Sequence, residues 1–224
     1  MILQNYNIVA NIYINSNLKL GRLGLQVKDV DGAWVKLHHR QGDFDGACGV
    51  YSTIMGLLAI GYISYEDVKV MNSPDKRGKK GQMLSHFLEQ QGMIREGYFT
   101  RTLAQDIRDY CDDLAVKVHY KEENILDFIH DAIIENQSVV VMVQSKSFCH
   151  YVLAVGFEYD KNDDGSDIIT KILCLDPDDD LDQSNYWNCF IDTKKELKED
   201  FTCPFVTRKL SDIVRINNIM IIKY

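Results

Sequence analysis

Cys48 stands in the stretch Gln41-Gly-Asp-Phe-Asp-Gly-Ala-Cys48-Gly49-Val-Tyr-Ser, immediately before an apolar run that reaches Ile60 and ends at Gly61. A thiolate is a far better nucleophile than a thiol, and the unpaired N–H groups and macrodipole of a helix N-terminus favour the anion. The run carries Val50, Ile54, Leu57 and Leu58, which predicts a buried helix with Cys48 at its start. Glycines at 46, 49 and 56 admit close approach of backbone or substrate to that start. A lone cysteine beside a core helix is more often a small buried hydrophobe. Chemistry at Cys48 therefore requires partners: a base for its proton, and a third group that orients the base.

Of the six histidines, His150 opens His-Tyr-Val-Leu-Ala-Val-Gly-Phe-Glu-Tyr, whose β-rich composition predicts a strand over about 150–159. A second strand, about 167–175, finishes in Asp176-Pro177. The connection, Asp160-Lys-Asn-Asp-Asp-Gly-Ser166, is rich in turn formers, so the two strands are expected to pair as a hairpin. In such a hairpin the start of the first strand lies beside the end of the second, which brings His150 to Asp176. His38 and His39 stand close to Gln41, but in a strand adjacent side chains face opposite sides, so at most one of them is expected to line a cleft. His86, His119 and His130 are expected in surface or core positions.

Together these residues resemble the papain-like cysteine peptidases, in particular the bacterial branch that includes the double-glycine leader peptidases of bacteriocin exporters. The resemblance is carried by Gln41, by the Cys48-Gly49 pair heading a helix, by His150 starting a strand and by Asp176-Pro177 ending the next, over roughly residues 38–177. It implies a cysteine peptidase in which Cys48 is the nucleophile, His150 the base and Asp176 its orienter, with Gln41 and the Cys48 backbone N–H forming the oxyanion hole. Gln41 is one residue farther from Cys48 than the family's usual spacing. The same catalytic set could deamidate or transamidate glutamine side chains through a thioester, and an inactive peptide-binding module is a further alternative.

The cysteines at 48, 111, 149, 174, 189 and 203 include no Cys-x-x-Cys, and no His-Glu-x-x-His occurs, so no metal is expected. Asp160-x-Asn162-x-Asp164-Gly165 copies the first half of an EF-hand loop, but Lys171 occupies the position of the bidentate glutamate, and a hairpin turn is the expected role. Neither a Walker loop nor a dinucleotide-binding glycine motif is present, and there is no basic patch interleaved with aromatics. No cofactor and no nucleic-acid partner are expected. The expected partner is a protein or peptide substrate.

The chain has 224 residues, 46% of them hydrophobic, enough for an ordinary core and one compact domain over 1–224. Met1-Ile-Leu-Gln-Asn-Tyr-Asn lacks a basic n-region, and no run approaches the length of a membrane span. The expectation is a protein without membrane insertion, cytoplasmic or exported without a cleavable signal peptide. Helical patterns at about 48–60, 64–71, 81–91, 101–112 and 122–135 precede β-rich stretches at about 138–144, 150–159, 167–175, 186–191 and 219–223. The order predicts an α+β, papain-like fold: a helical part, about 41–135, carrying the nucleophile and packed on an antiparallel sheet part, about 138–224, with further short strands from residues 1–37. Ten acidic residues against two lysines between Glu158 and Asp182 give an excess equal to the chain's formal net charge of −8. A cleft rim formed by this segment would favour basic substrates.

Overall fold

The computed structural model describes residues 11–42, 46–69, 73–90, 97–121, 124–194 and 202–224. The reading of Met1–Asn7 and the loop residues Asp43, Phe44 and Asp45 lie outside this set. Among the described residues the fold mixes helices with strands.

The sheet is built around β6 (Ser138–Gln144), β7 (Cys149–Lys161), β8 (Asp167–Leu175), β9 (Cys189–Asp192), β10 (Cys203–Val206) and β11 (Ser211–Lys223). Its order is β7-β6-β11-β10-β9-β8, and β8 pairs back onto β7, so these six strands close into a ring of antiparallel pairs. β1 (Asn11–Ile14) extends from β7, and β5 (Ala115–Tyr120) pairs with β11. The other N-terminal strands, β2 (Leu18–Gly21), β3 (Gly24–Lys28) and β4 (Trp34–Lys36), form a separate sheet of three.

This closure goes beyond the expected layering of a helical part against a sheet part. The run Ser-Val-Val-Val-Met-Val-Gln of β6 is apolar on both faces, which requires cover on both. Val139, Val141 and Val143 join residues from all six ring strands, including Val152, Ile172, Ile191, Phe205 and Val214, in one interior cluster. Ile129 and Ile133 of α5 (Ile125–Ile134) belong to that same cluster, so this helix serves the sheet's interior. The opposite face, with Val140, Leu153, Leu175 and Met220, packs with α1 (Cys48–Ala59), α3 (Lys79–Gln90) and α4 (Thr100–Tyr110) in a second cluster. The short α2 (Tyr65–Lys69) connects the first of these to α3.

α1 is buried along almost its whole length, in keeping with its largely apolar composition. Gly56 permits its close approach to β6, since a Cβ at that position would fall 2.1 Å from the Ser138 hydroxyl oxygen. The Asp160–Ser166 connection is a hairpin turn, with Gly165 at φ +84 and its N–H donating to the Asn162 carbonyl at 2.9 Å. No helix among the described residues is long and apolar enough to cross a membrane.

Candidate active site

Cys48 is the first residue of α1 and is 7% exposed. Ala47 is the N-cap, and its side chain makes no capping bond to the first-turn N–H donors. Two contacts hold this helix end against the start of β7. Ser52, one turn further along, donates its hydroxyl to the Tyr151 carbonyl at 3.1 Å. Gly49 lets the Tyr151 ring lie close, because a Cβ there would stand only 3.3 Å from it. The Tyr151 hydroxyl is anchored to the Tyr98 carbonyl at 2.8 Å and paired with Thr100 Oγ1 at 2.7 Å. The residue before this anchored tyrosine is His150.

The β7–β8 register sets Leu153 opposite Leu175, so the residues beyond Leu175 run back alongside the start of β7. There His150 Nε2 lies 2.7 Å from Asp176 Oδ1. With Nε2 bound to the carboxylate, Nδ1 is the ring nitrogen left for Cys48, with which the imidazole also interacts. Burial by itself would push the His150 pKa down. Hydrogen bonds and charge from Asp176 and Cys48 outweigh it and hold the imidazole up at about 10, protonated at neutral pH. Burial would likewise raise the Asp176 pKa, but the His150 bond and charge, with the Asp178 N–H, keep it below the ordinary carboxylate value.

Asp176 is held by Asn188, which the sequence did not single out, and by His38. Its backbone N–H donates to Asn188 Oδ1 at 2.6 Å, and its carbonyl accepts Asn188 Nδ2 at 2.9 Å. The buried His38 reaches the same carbonyl through Nε2 at 3.0 Å. Burial lowers the His38 pKa, so the ring is neutral, and the carbonyl partner assigns its proton to Nε2. His38 and His39 both follow the end of β4, so strand alternation does not separate them. The His39 ring lies against Tyr65, with centroids 5.8 Å apart, and burial lowers its pKa to about 4. His86 pairs with Asp106 at 3.1 Å, His130 with Asp131 at 2.9 Å, and His119 stacks on Phe128.

Gln41 lies against the turn that follows Asp176. Its backbone N–H donates to the Pro177 carbonyl at 2.8 Å, and its side-chain Nε2 approaches Asp178 Oδ1 at 3.4 Å. Gln41, His150 and Asp176 together line a cleft of about 260 Å3. The Asp178 bond uses one of the two amide hydrogens, and the second is available to an oxyanion. With Gln41→Ala we expect kcat to fall roughly 10²–10³-fold with little change in KM, because such a bond strengthens only in the transition state. Steady-state kinetics of that variant checks this, and an unchanged kcat would move the role to another donor.

The acidic segment is internally partnered. Asp178 lies 3.8 Å from Lys209 Nζ, Asp180 3.4 Å from Arg40 and Asp182 3.6 Å from Arg208. Asp179 is buried and accepts the Arg208 and Asp180 backbone N–H groups. These partners offset the negative potential on which attraction of basic substrates would depend.

No protein-family model matches the chain, and no curated protein matches it. Among solved structures, a UfSP from C. elegans is similar over 98% of this chain and 35% of its own, with 14% identity and a TM-score of 0.42. The chain thus spans about a third of that protein's length.

Proposed function

We propose that the protein is a cysteine peptidase that hydrolyses peptide bonds of a protein or peptide substrate through a thioester acyl-enzyme. The observation that carries this is the His150 imidazole, bonded to Asp176 at 2.7 Å and held protonated in part by the helix-heading Cys48. The Cys48 sulfur, its proton taken by His150, attacks the carbonyl carbon. The oxyanion that forms is met by Gln41 Nε2 and the Cys48 N–H, each such donor contributing roughly 3–4 kcal/mol. Collapse breaks the C–N bond, and the imidazolium gives its proton to the departing amine. Water activated by the neutral imidazole then cleaves the thioester and restores the thiol. Asp176 keeps the ring oriented and stabilises its cation through both steps.

The order and context of Gln41, Cys48, His150 and Asp176 support the papain-like reading, and the double-glycine branch within it is part of this proposal. The free cysteines suit a reducing compartment, in keeping with action in a cytoplasm. Intact-mass spectrometry of candidate protein substrates, incubated with the active protein and with Cys48→Ala, tests the reaction class. Fragments formed only by the active protein support a peptidase. A gain of about 1 Da without fragments indicates glutamine deamidation by the same thioester route, and no change with either protein favours a binding module.

A further inference from the structure

We infer that the cleft beside His150 is the leaving-group subsite and that it selects a bulky apolar residue on the amine side of the scissile bond. The inference rests on the acyl-transfer reading above. In that chemistry His150 delivers a proton to the departing nitrogen, so the departing part of the substrate must lie against the imidazole. The cleft answers this requirement, since His150, Asp176 and Gln41 line it whereas Cys48 does not. At about 260 Å3 it falls below the roughly 300–1,000 Å3 of cavities that hold drug-sized ligands, and it suits a single large side chain.

Three apolar side chains, Phe148, Phe205 and Leu210, share its wall with Asp178, Asp179 and Lys209. Phe205 is buried beside the site, its ring centroid 6.3 Å from that of His150. Phe148 projects from the turn joining β6 to β7, where the Ser145 hydroxyl accepts the Ser147 and Phe148 N–H groups at 3.0 and 3.1 Å. Leu210 projects from the turn joining β10 to β11, braced in the same manner, with the Thr207 hydroxyl accepting the Lys209 and Leu210 N–H groups at 3.1 and 3.0 Å. Leu210 remains 42% exposed, a large apolar side chain held at the mouth of a cleft. The charged residues in the wall are partnered: Lys209 Nζ lies 3.8 Å from the Asp178 carboxylate and donates to its carbonyl at 2.6 Å, and the buried Asp179 carboxylate accepts the Arg208 and Asp180 N–H groups. Selection here is by apolar contact, and the charge of the incoming residue matters little.

By microscopic reversibility, an amine that attacks the acyl-enzyme occupies the place of the leaving amine. A p-nitrophenyl ester of an acylated amino acid would acylate Cys48 and release nitrophenolate. Added amino-acid amides then compete with water: the amine nitrogen bonds to the acyl carbon, the C–S bond breaks, and the amine's proton passes through His150 to the sulfur. The ratio of amide to acid product is fixed within one acyl-enzyme population, so it does not depend on how fast that population forms. At equal free-amine concentration we expect phenylalaninamide and leucinamide to give a ratio about tenfold or more above serinamide, the discrimination typical of a small apolar pocket. In Leu210→Ser and Phe148→Ala the advantage should shrink toward unity. Equal ratios for apolar and polar amides, or a preference that both variants retain, would overturn the subsite while leaving the thioester chemistry standing. Absence of a nitrophenolate burst that depends on Cys48 would overturn the acyl-transfer reading and the subsite with it.

Discussion

Cys48→Ala and His150→Ala are each expected to lower kcat by at least about 10⁴-fold, and the double variant to be no worse than either alone. Nucleophile and base act as one unit, so once either is gone the other has nothing to act upon. Binding of substrate in the cleft should survive, which places the loss in kcat and leaves KM nearly unchanged. Cys48→Ala removes a single sulfur from a helix start that Ser52 and Gly49 still hold against β7, so the fold should be retained. His150→Ala leaves the Asp176 carboxylate buried with one bond, the 2.7 Å contact from the Asp178 N–H, and should unfold at a lower temperature. Circular dichroism melts beside steady-state kinetics separate the two effects. Full turnover by purified Cys48→Ala would remove the nucleophile from the account.

Changes at Asp176 should show a different signature, a displaced pH profile. The imidazolium is the proton donor to the leaving amine, so activity should fall as pH rises through the His150 value of about 10. Asp176→Asn keeps a polar partner but removes the charge that favours the cation, and the alkaline limb should move down by roughly 1–3 pH units. Asp176→Ala loses orientation as well, and kcat should fall roughly 10²–10⁴-fold while a measurable residue of activity persists. The stability consequences have opposite signs for the two partners. The His150 pKa is raised on folding, so its contribution is complete below about 6.5 and is lost as pH rises through about 10. The Asp176 pKa is lowered, so its contribution is present above the ordinary carboxylate value and is lost as pH falls through the folded one. The pair therefore stabilises the fold most across neutral pH. An alkaline limb unmoved by Asp176→Asn would mean that the carboxylate does not set the imidazole's charge.

The juxtaposition of His150 with Asp176 was legible because it follows from local information: two β-rich runs, a turn-forming connection between them, and chemistry-bearing residues at the paired ends. The strands expected at about 150–159 and 167–175 are Cys149–Lys161 and Asp167–Leu175. Closure of the sheet was not legible. The all-apolar run of β6 records that both faces are covered, yet nothing in it tells whether a helix or the far wall of a ring provides the cover. β10 went unread because Pro204 argues against a strand and its neighbours in the sheet are set by distant segments. β11 begins at Ser211, well before the apolar stretch 219–223 that marks it, since its first half, Ser-Asp-Ile-Val-Arg-Ile-Asn-Asn, mixes polar with apolar residues in no clear period. Asn188 carries no sequence signal of its own, and His38 carries only its closeness to Gln41. Their roles come from three segments meeting at one backbone carbonyl, that of Asp176.

The most direct test of the account is the rate of alkylation of individual cysteines by iodoacetamide at pH 5.5–6, followed by peptide mass spectrometry. Cys149 is exposed and next to His150 in sequence, whereas Cys48 is buried and electrostatically coupled to the imidazole, so exposure and activation make opposite predictions within one molecule. If His150 activates Cys48, the buried cysteine should react well ahead of the exposed one, and His150→Ala should abolish that lead while leaving Cys149 essentially as before. A Cys48 that reacts more slowly than Cys149 in the unmodified protein, at a rate indifferent to His150→Ala, would contradict the catalytic assignment.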